Sequence, residues 1–149
     1  MLTPEKIEMM PLKEAVKTIE ELTPPEVSMI FEQISTERVA DILLSLSLER
    51  AVKIVEQLSV EKIVNAMLAM DRAASASLIL KVNTDVATQI IETAVNVNVT
   101  RIAEIVEEAT SMNLKAVISI LEQIDVKLFA KLLVEIARLP AKIDVSLFP

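Results

Sequence analysis

A twelve-residue repeat constrains this 149-residue chain more than any other feature of its sequence. Seven units follow one another without a gap, and three more follow after two three-residue spacers, 95–97 and 110–112. The units begin at Pro11, Thr23, Ser35, Ser47, Ser59, Asp71, Asn83, Asn98, Asn113 and Asp125. A period this short predicts single short helices joined by tight turns.

Two patterns inside each unit predict where the helices start and which face they bury. The first position is Ser, Thr, Asp or Asn in nine of the ten units. The side-chain oxygens of these residues accept hydrogen bonds from free N–H groups, so this position predicts a helix N-cap. Positions five, eight, nine and twelve are mostly apolar, and that spacing forms one helical face. In the third unit they are Val39, Ile42, Leu43 and Leu46.

One unit is too short to fold alone, because isolated helices of fewer than about 12 residues are marginal in water. Each unit must bury its apolar face on its neighbours, as the repeats of a solenoid do. We therefore expect an all-α superhelix that forms a single domain over residues 1–149, with one candidate sub-bundle boundary near 95–97. Because the chain has no Gly, we expect Asn83, Asn98 and Asn113 to reverse the chain at positive φ. Other helix ends are expected to tighten into 3₁₀ turns.

The composition excludes several classes of function. The chain has no Gly, His or Cys. Without Gly, neither a P-loop nor a dinucleotide-binding fingerprint can form, since both need glycines where the backbone approaches phosphate. Without His or Cys there is no imidazole base, no thiolate nucleophile and no zinc site of the usual ligands. We predict that the chain is not an enzyme, with no catalytic residue and no cofactor other than a candidate Mg²⁺.

Charge and hydropathy limit the partners. The formal net charge of −7 has the wrong sign for a surface that binds nucleic acid. The mean hydropathy is +0.49, but the sequence has no run of about 20 apolar residues that a membrane helix needs. The start of the chain carries Glu and Lys where a signal peptide would have its apolar segment. The sequence therefore predicts a cytoplasmic location and a protein partner, or additional domains of a longer parent chain.

The segment from Leu22 to Met70 resembles a known family. One helix start reads Pro24-Pro25-Glu26, and later units carry Glu at the third place and an Ile-Leu or Ile-Val pair in the core. This pattern looks like the cytosolic N-terminal domain of MgtE-type magnesium transporters, and related helices occur in flagellar motor switch proteins of the FliG type. The matching positions in the later units are Glu37, Glu49, Glu61, Ile42-Leu43 and Ile54-Val55.

The resemblance covers about residues 11–94 well and the remaining units by pattern. It implies that the superhelix is right-handed. It also implies that the domain regulates channel opening together with paired CBS domains and a membrane domain.

Acidic residues are the candidate Mg²⁺ ligands. Glu20 and Glu21 form one pair, and Glu107 and Glu108 form another, with Glu104 one helical turn earlier. A hydrated Mg²⁺ keeps several waters and needs only one or two carboxylates. The alternative is that these residues belong to solvated helix faces.

Apolar residues outside the main stripe are the candidates for partner binding. They are Leu44, Leu48 and Leu68 in the middle units, and Leu147 and Phe148 near the end of the chain. They predict either a groove for a partner helix or a self-association surface, and the second of these would make the chain a homo-oligomer. The alternative is that the middle helices are covered on two sides.

The sequence therefore predicts a non-catalytic protein-interaction, regulatory or scaffold module. The alternative function is a Mg²⁺-responsive cytosolic regulatory domain of an MgtE-like transporter.

Overall fold

The computed structural model describes residues 2–140, and all regular structure in that range is helical. The predicted all-α class is confirmed. The eleven helices between residues 2 and 140 are α1 Pro4–Met9, α2 Leu12–Glu20, α3 Pro24–Phe31, α4 Thr36–Ser45, α5 Leu48–Val55, α6 Val60–Ala69, α7 Arg72–Lys81, α8 Thr84–Val97, α9 Val99–Met112, α10 Leu114–Leu121 and α11 Val126–Arg138.

The repeat predicts the helix starts correctly. Each helix from α2 to α11 begins one residue after the first position of a predicted unit. In α3 to α11 that first residue accepts a hydrogen bond from a backbone N–H of the first turn. The prediction omits α1, although Thr3 and Pro4 form the same start signal as Thr23 and Pro24.

The start of α3 is a complete capping box. The Thr23 hydroxyl accepts from the Glu26 backbone N–H, and Glu26 Oε1 accepts from the Thr23 backbone N–H at 3.0 Å. The Thr23 hydroxyl also donates to the same carboxylate oxygen at 2.8 Å. The hydrogen bonds that Glu26 accepts from the Thr23 backbone N–H and, with a smaller effect, from the Thr23 hydroxyl lower the pKa of Glu26 below its usual value.

The helix ends need no residue at positive φ. None occurs among residues 2–140, so the expectation that Asn83, Asn98 and Asn113 adopt it is wrong. Asn98 and Asn113 have φ of −156° and −160°, and each ends one helix while it caps the next. An extended residue is enough to reverse the chain here, which explains how the fold forms without Gly. Other ends tighten into 3₁₀-type bonds, as predicted, for example from Leu22 N to Ile19 O at 3.1 Å.

The packing contacts divide the chain into two compact units, Met1–Met70 and Asp71–Pro149. Residues 95–97, the candidate sub-bundle boundary, form the last turn of α8, and the second spacer forms the last turn of α9. Each spacer lengthens its helix to 14 residues and contributes a buried side chain, Val95 in α8 and Thr110 in α9. A single domain over the whole chain, and its right-handed superhelical arrangement, stay predictions.

Within each of these two compact units, helices pack on the helix two places further along the chain. In the first unit α2 packs on α4, α3 on α5 and α4 on α6. In the second unit α7 packs on α9, α8 on α10 and α9 on α11. The predicted apolar face supplies the core, since Val39, Ile42 and Leu43 are buried and Leu46 is half-buried.

Within residues 2–70, two glutamates brace helix starts three helices further along the chain. Glu8 of α1 accepts from the backbone N–H of Ser35 at 2.6 Å and from its hydroxyl at 2.9 Å. Glu32, at the end of α3, accepts in the same way from Ser59, at 2.8 and 2.9 Å. Ser35 and Ser59 are the N-caps of α4 and α6. Their backbone N–H groups, which a capping box would satisfy locally, are satisfied by a different helix.

Basic residues at the fourth place of three successive repeat units also contact earlier parts of the chain. Arg50 donates to two carbonyl oxygens at and just after the end of α2. Lys62 Nζ donates to the carbonyl of Ile34, after α3, at 2.5 Å. Arg38 Nε lies 4.0 Å from a carboxylate oxygen of Glu8. These three contacts are not among the predictions made from the sequence, although the spacing of twelve residues is visible there.

We predict that Asn98→Gly lowers the free energy of unfolding by about 1 kcal/mol, because it removes a cap oxygen and adds freedom to the unfolded chain. Urea denaturation measures this change, and Asn113→Gly should behave alike. A rise in stability would contradict the negative φ at Asn98, since Gly relieves strain only at positive φ.

Candidate functional site

The side chains at positions two, six and ten of each repeat unit form a stripe beside the main apolar face, called the second stripe below. These positions are four residues apart, so they share one side of the helix. Position six is buried in α4, α6, α7 and α8, where the residues are Ala40, Val64, Ala76 and Thr88. The second stripe is therefore covered by protein in these inner helices.

The predicted partner-binding leucines of the middle units belong to this second stripe. Leu44 and Leu68 occupy position ten of their units, and Leu48 occupies position two. Leu44 and Leu48 are exposed, whereas Leu68 is half-buried. The other two candidates, Leu147 and Phe148, lie outside the described residues.

On α2, in the compact unit Met1–Met70, the second stripe borders a surface groove. Leu12, which is 37% exposed, and the half-buried Val16 form its apolar part. The groove has a volume of about 890 Å³. Its remaining lining residues are Pro11, Lys13, Glu14, Lys17, Glu20 and Ser45.

A second groove lies on α11, in the compact unit Asp71–Pro149. Val126 is 81% exposed and Val134 is 51% exposed, and Ala130 between them is also exposed. The groove beside Ala130 and Val134 has a volume of about 550 Å³. It is lined further by Val95, Asn96, Val99, Lys131, Glu135 and Arg138. The residues of this groove are not among the predicted binding residues, although the last repeat unit is apolar at all three second-stripe positions.

The predicted Mg²⁺ ligands are in different environments. Glu20 and Glu21 are exposed at the end of α2. Glu104 is already paired, because its two carboxylate oxygens lie 3.1 Å from Arg72 and 3.6 Å from Arg101. Over residues 2–140, no three acidic side chains come together in a group that could hold a metal ion.

Glu107 differs from the other acidic residues because it is buried, with only 4% of its surface exposed. Within the described part of the chain, its Oε2 has no hydrogen-bond partner. The neighbouring Glu108 is half-buried. A buried carboxylate without a partner lowers stability, and it is poorly placed to bind a hydrated ion at the surface.

Comparison with known families identifies the repeat. The model of a family described as the MgtE intracellular N domain matches residues 5–94. The chain belongs to this family. The matched region of this MgtE intracellular N domain contains all seven contiguous units and ends directly before the first spacer. No curated protein and no solved structure matches the chain. None of the helices described for this N domain has the length and apolar character to cross a membrane.

We predict that Glu107→Met raises the free energy of unfolding of the chain by about 1 to 3 kcal/mol, because it removes an unsatisfied buried group. Chemical denaturation measures the change. Glu122→Met, at an exposed position, is the control and should change stability by less than about 0.5 kcal/mol. A clear loss of stability in Glu107→Met would mean that the carboxylate has a stabilising partner.

Proposed function

We propose that this chain is a non-catalytic intracellular regulatory domain of an MgtE-like magnesium transporter, and that it acts through contacts with other protein surfaces. The observation that carries the proposal is its membership of the MgtE intracellular N domain family over residues 5–94. The proposed role is to regulate channel opening together with CBS domains and a membrane domain, as the resemblance implies.

The use of polar side chains supports action by binding. The hydroxyls of Ser35 and Ser59 cap helices and donate to Glu8 and Glu32. Groups held in this way stabilise the fold and are poorly placed to react with a substrate. The open surfaces on α2 and α11 are apolar with charged borders, which suits the apolar face of an amphipathic helix.

Mg²⁺ is the proposed regulator, and Glu20 and Glu21 are the proposed ligands. They are the only fully exposed pair among the predicted acidic residues. Glu20 also lines the groove on α2, so a cation bound there changes the charge at the border of a protein-binding surface. The net charge of −7 favours the approach of cations.

Thermal unfolding followed by far-UV circular dichroism tests the Mg²⁺ response, with MgCl₂ compared against NaCl at matched ionic strength. We expect a saturable stabilisation by MgCl₂ that reaches about 2.7 kcal/mol at a concentration 100 times Kd. The double variant Glu20→Gln/Glu21→Gln should lose it. The control double variant Glu37→Gln/Glu49→Gln, which removes the same charge from exposed positions, should keep it.

Equal curves in MgCl₂ and NaCl would contradict a Mg²⁺-responsive domain. A saturable rise that survives in Glu20→Gln/Glu21→Gln would contradict the assignment of the ligands.

A further inference from the structure

The outward face of α11 separates apolar and basic side chains into two adjacent rows. The residues of the apolar row are all exposed: Val126, Ala130, Val134 and Ala137. The residues of the basic row are exposed as well: Lys127, Lys131 and Arg138. Spacings of three, four and seven residues place each row on one side of the helix. The basic row therefore runs along one edge of the apolar row.

The positive charge of the basic row is not balanced by α11 itself. Glu135 is the acidic residue of this helix, and it is half-buried. It accepts a hydrogen bond from the Thr100 hydroxyl at 3.4 Å and lies 3.8 Å from Arg138. None of the ion pairs over residues 2–140 involves Lys127 or Lys131. These two ammonium groups are free to pair with carboxylates from outside the chain.

The groove beside the two rows has a shape that suits a helix. It has a volume of about 550 Å³ and runs between α11 and the junction of α8 and α9, where Val95, Asn96 and Val99 line it. Ala130, which lines the other side, occupies position six of its repeat unit. Position six is buried in α7, α8 and α9 of the same compact unit, where helices pack on one another. A concave groove between helices takes an amphipathic helix, whereas the flat surface of a bilayer cannot enter it.

We propose that the groove on α11 binds an amphipathic helix of a protein partner, and that the apolar stripe of this helix is bordered by carboxylates. The stripe covers the apolar row, and the carboxylates pair with the basic row. Because the basic row lies along one edge only, this pairing also fixes the orientation of the bound helix. The site lies outside residues 5–94, which the family model matches, and it rests on the proposed function only in that the chain acts through protein contacts.

Charge favours an acidic partner over a second copy of this chain. Two α11 helices in contact would bring two basic rows together, and like charges repel. The groove on α2 has no net charge to offer, since Lys13 and Lys17 lie beside Glu14 and Glu20. The unbalanced charge on α11 therefore selects a helix that carries acidic residues in excess.

Two synthetic helical peptides test this partner chemistry. Each has about 18 residues, enough to form a helix in water, and a stripe of leucines. One peptide carries Glu along one edge of the stripe, and the other carries Lys at the same places. Fluorescence anisotropy measures the Kd of each labelled peptide for the full chain. We expect the Glu peptide to bind at least about tenfold more tightly, because opposite charges meet at the groove, and NaCl should weaken this preference.

The net charge of the chain makes this comparison stringent. At −7, the whole chain attracts the Lys peptide and repels the Glu peptide. A preference for the Glu peptide therefore reports the local charge of the groove that binds it.

Charge reversal locates the preference on α11. Lys127→Glu/Lys131→Glu should abolish the preference for the Glu peptide. Lys13→Glu/Lys17→Glu on α2 is the matched control, because it changes the net charge by the same amount at exposed positions. This control should keep the preference, and far-UV circular dichroism verifies that both variants are folded.

A neutral substitution tests the apolar row. Val134→Ser should weaken the binding of the Glu peptide about fivefold, because it removes apolar surface that the peptide covers. Met29→Ser is the control, at a position of α3 that is 69% exposed, and should leave the Kd unchanged.

Failure of the Glu peptide to bind would overturn the proposal, and binding of anionic phospholipid vesicles in its place would indicate a membrane surface. Equal loss of the preference in the two double variants would overturn the assignment to α11. Self-association that Val134→Ser prevents would overturn it in favour of a second copy.

Equal binding of the two peptides would overturn the acidic partner and leave action through protein contacts standing. The Mg²⁺ response is measured separately on Glu20 and Glu21, which lie on and just after α2. Failure of the proposed regulation by Mg²⁺ is therefore distinguishable from failure of the partner site on α11.

Discussion

In nine of the ten units, from α3 to α11, the side chain of the first residue accepts a hydrogen bond from the first turn of its helix, and the rest of this structure depends on that interaction. Helices of eight residues, such as α5, leave much of their backbone N–H unpaired, because the first turn has no partner inside the helix. The Ser47 hydroxyl supplies one such partner to Arg50 N at 3.3 Å. Repeated along the chain, this cap sets where each helix begins and so fixes which side chains form the apolar face.

The caps also connect local structure to packing. Ser59 starts α6 through its hydroxyl, and its backbone N–H and hydroxyl donate to Glu32 at the end of α3. Lys62, in the first turn of α6, donates to the carbonyl of Ile34. A helix start is therefore complete only when a helix from earlier in the chain is in place. Helices that are marginal alone become stable together, which is the behaviour expected of repeat proteins.

The sequence alone predicts the starts of ten helices and most of the core, because caps and apolar spacing are local signals. It could not predict the bonds from Glu8, Glu32 and Arg50, since these residues contact parts of the chain 27 to 31 residues away. The spacer 95–97 breaks the period, and this break suggests a boundary. In the structure the spacer lengthens α8, because the Val95 side chain is buried and so joins the core.

The candidate binding surfaces are also hard to predict from the sequence, because they too depend on contacts between helices. Val64 of α6 and Ala130 of α11 occupy the same place in their units, yet Val64 is buried and Ala130 is exposed. Whether a second-stripe residue is core or surface depends on which helices lie beside it, and the repeat pattern itself is the same in both cases. The acidic residues show the same limit, since Glu107 is buried while Glu20 and Glu21 are exposed.

A double-mutant cycle between Glu32 and Ser59 measures whether a helix cap is coupled to a distant helix. Urea unfolding of Glu32→Gln, Ser59→Ala and the double variant gives the coupling energy, with Glu37 and Ser59 as the control pair. We expect a coupling of about 1 kcal/mol or more for Glu32 and Ser59, because their hydrogen bonds involve a charged group. For the control pair we expect additivity within about 0.5 kcal/mol. Additive effects for Glu32 and Ser59 would mean that the cap of α6 forms independently of α3, contrary to the coupling between caps and packing.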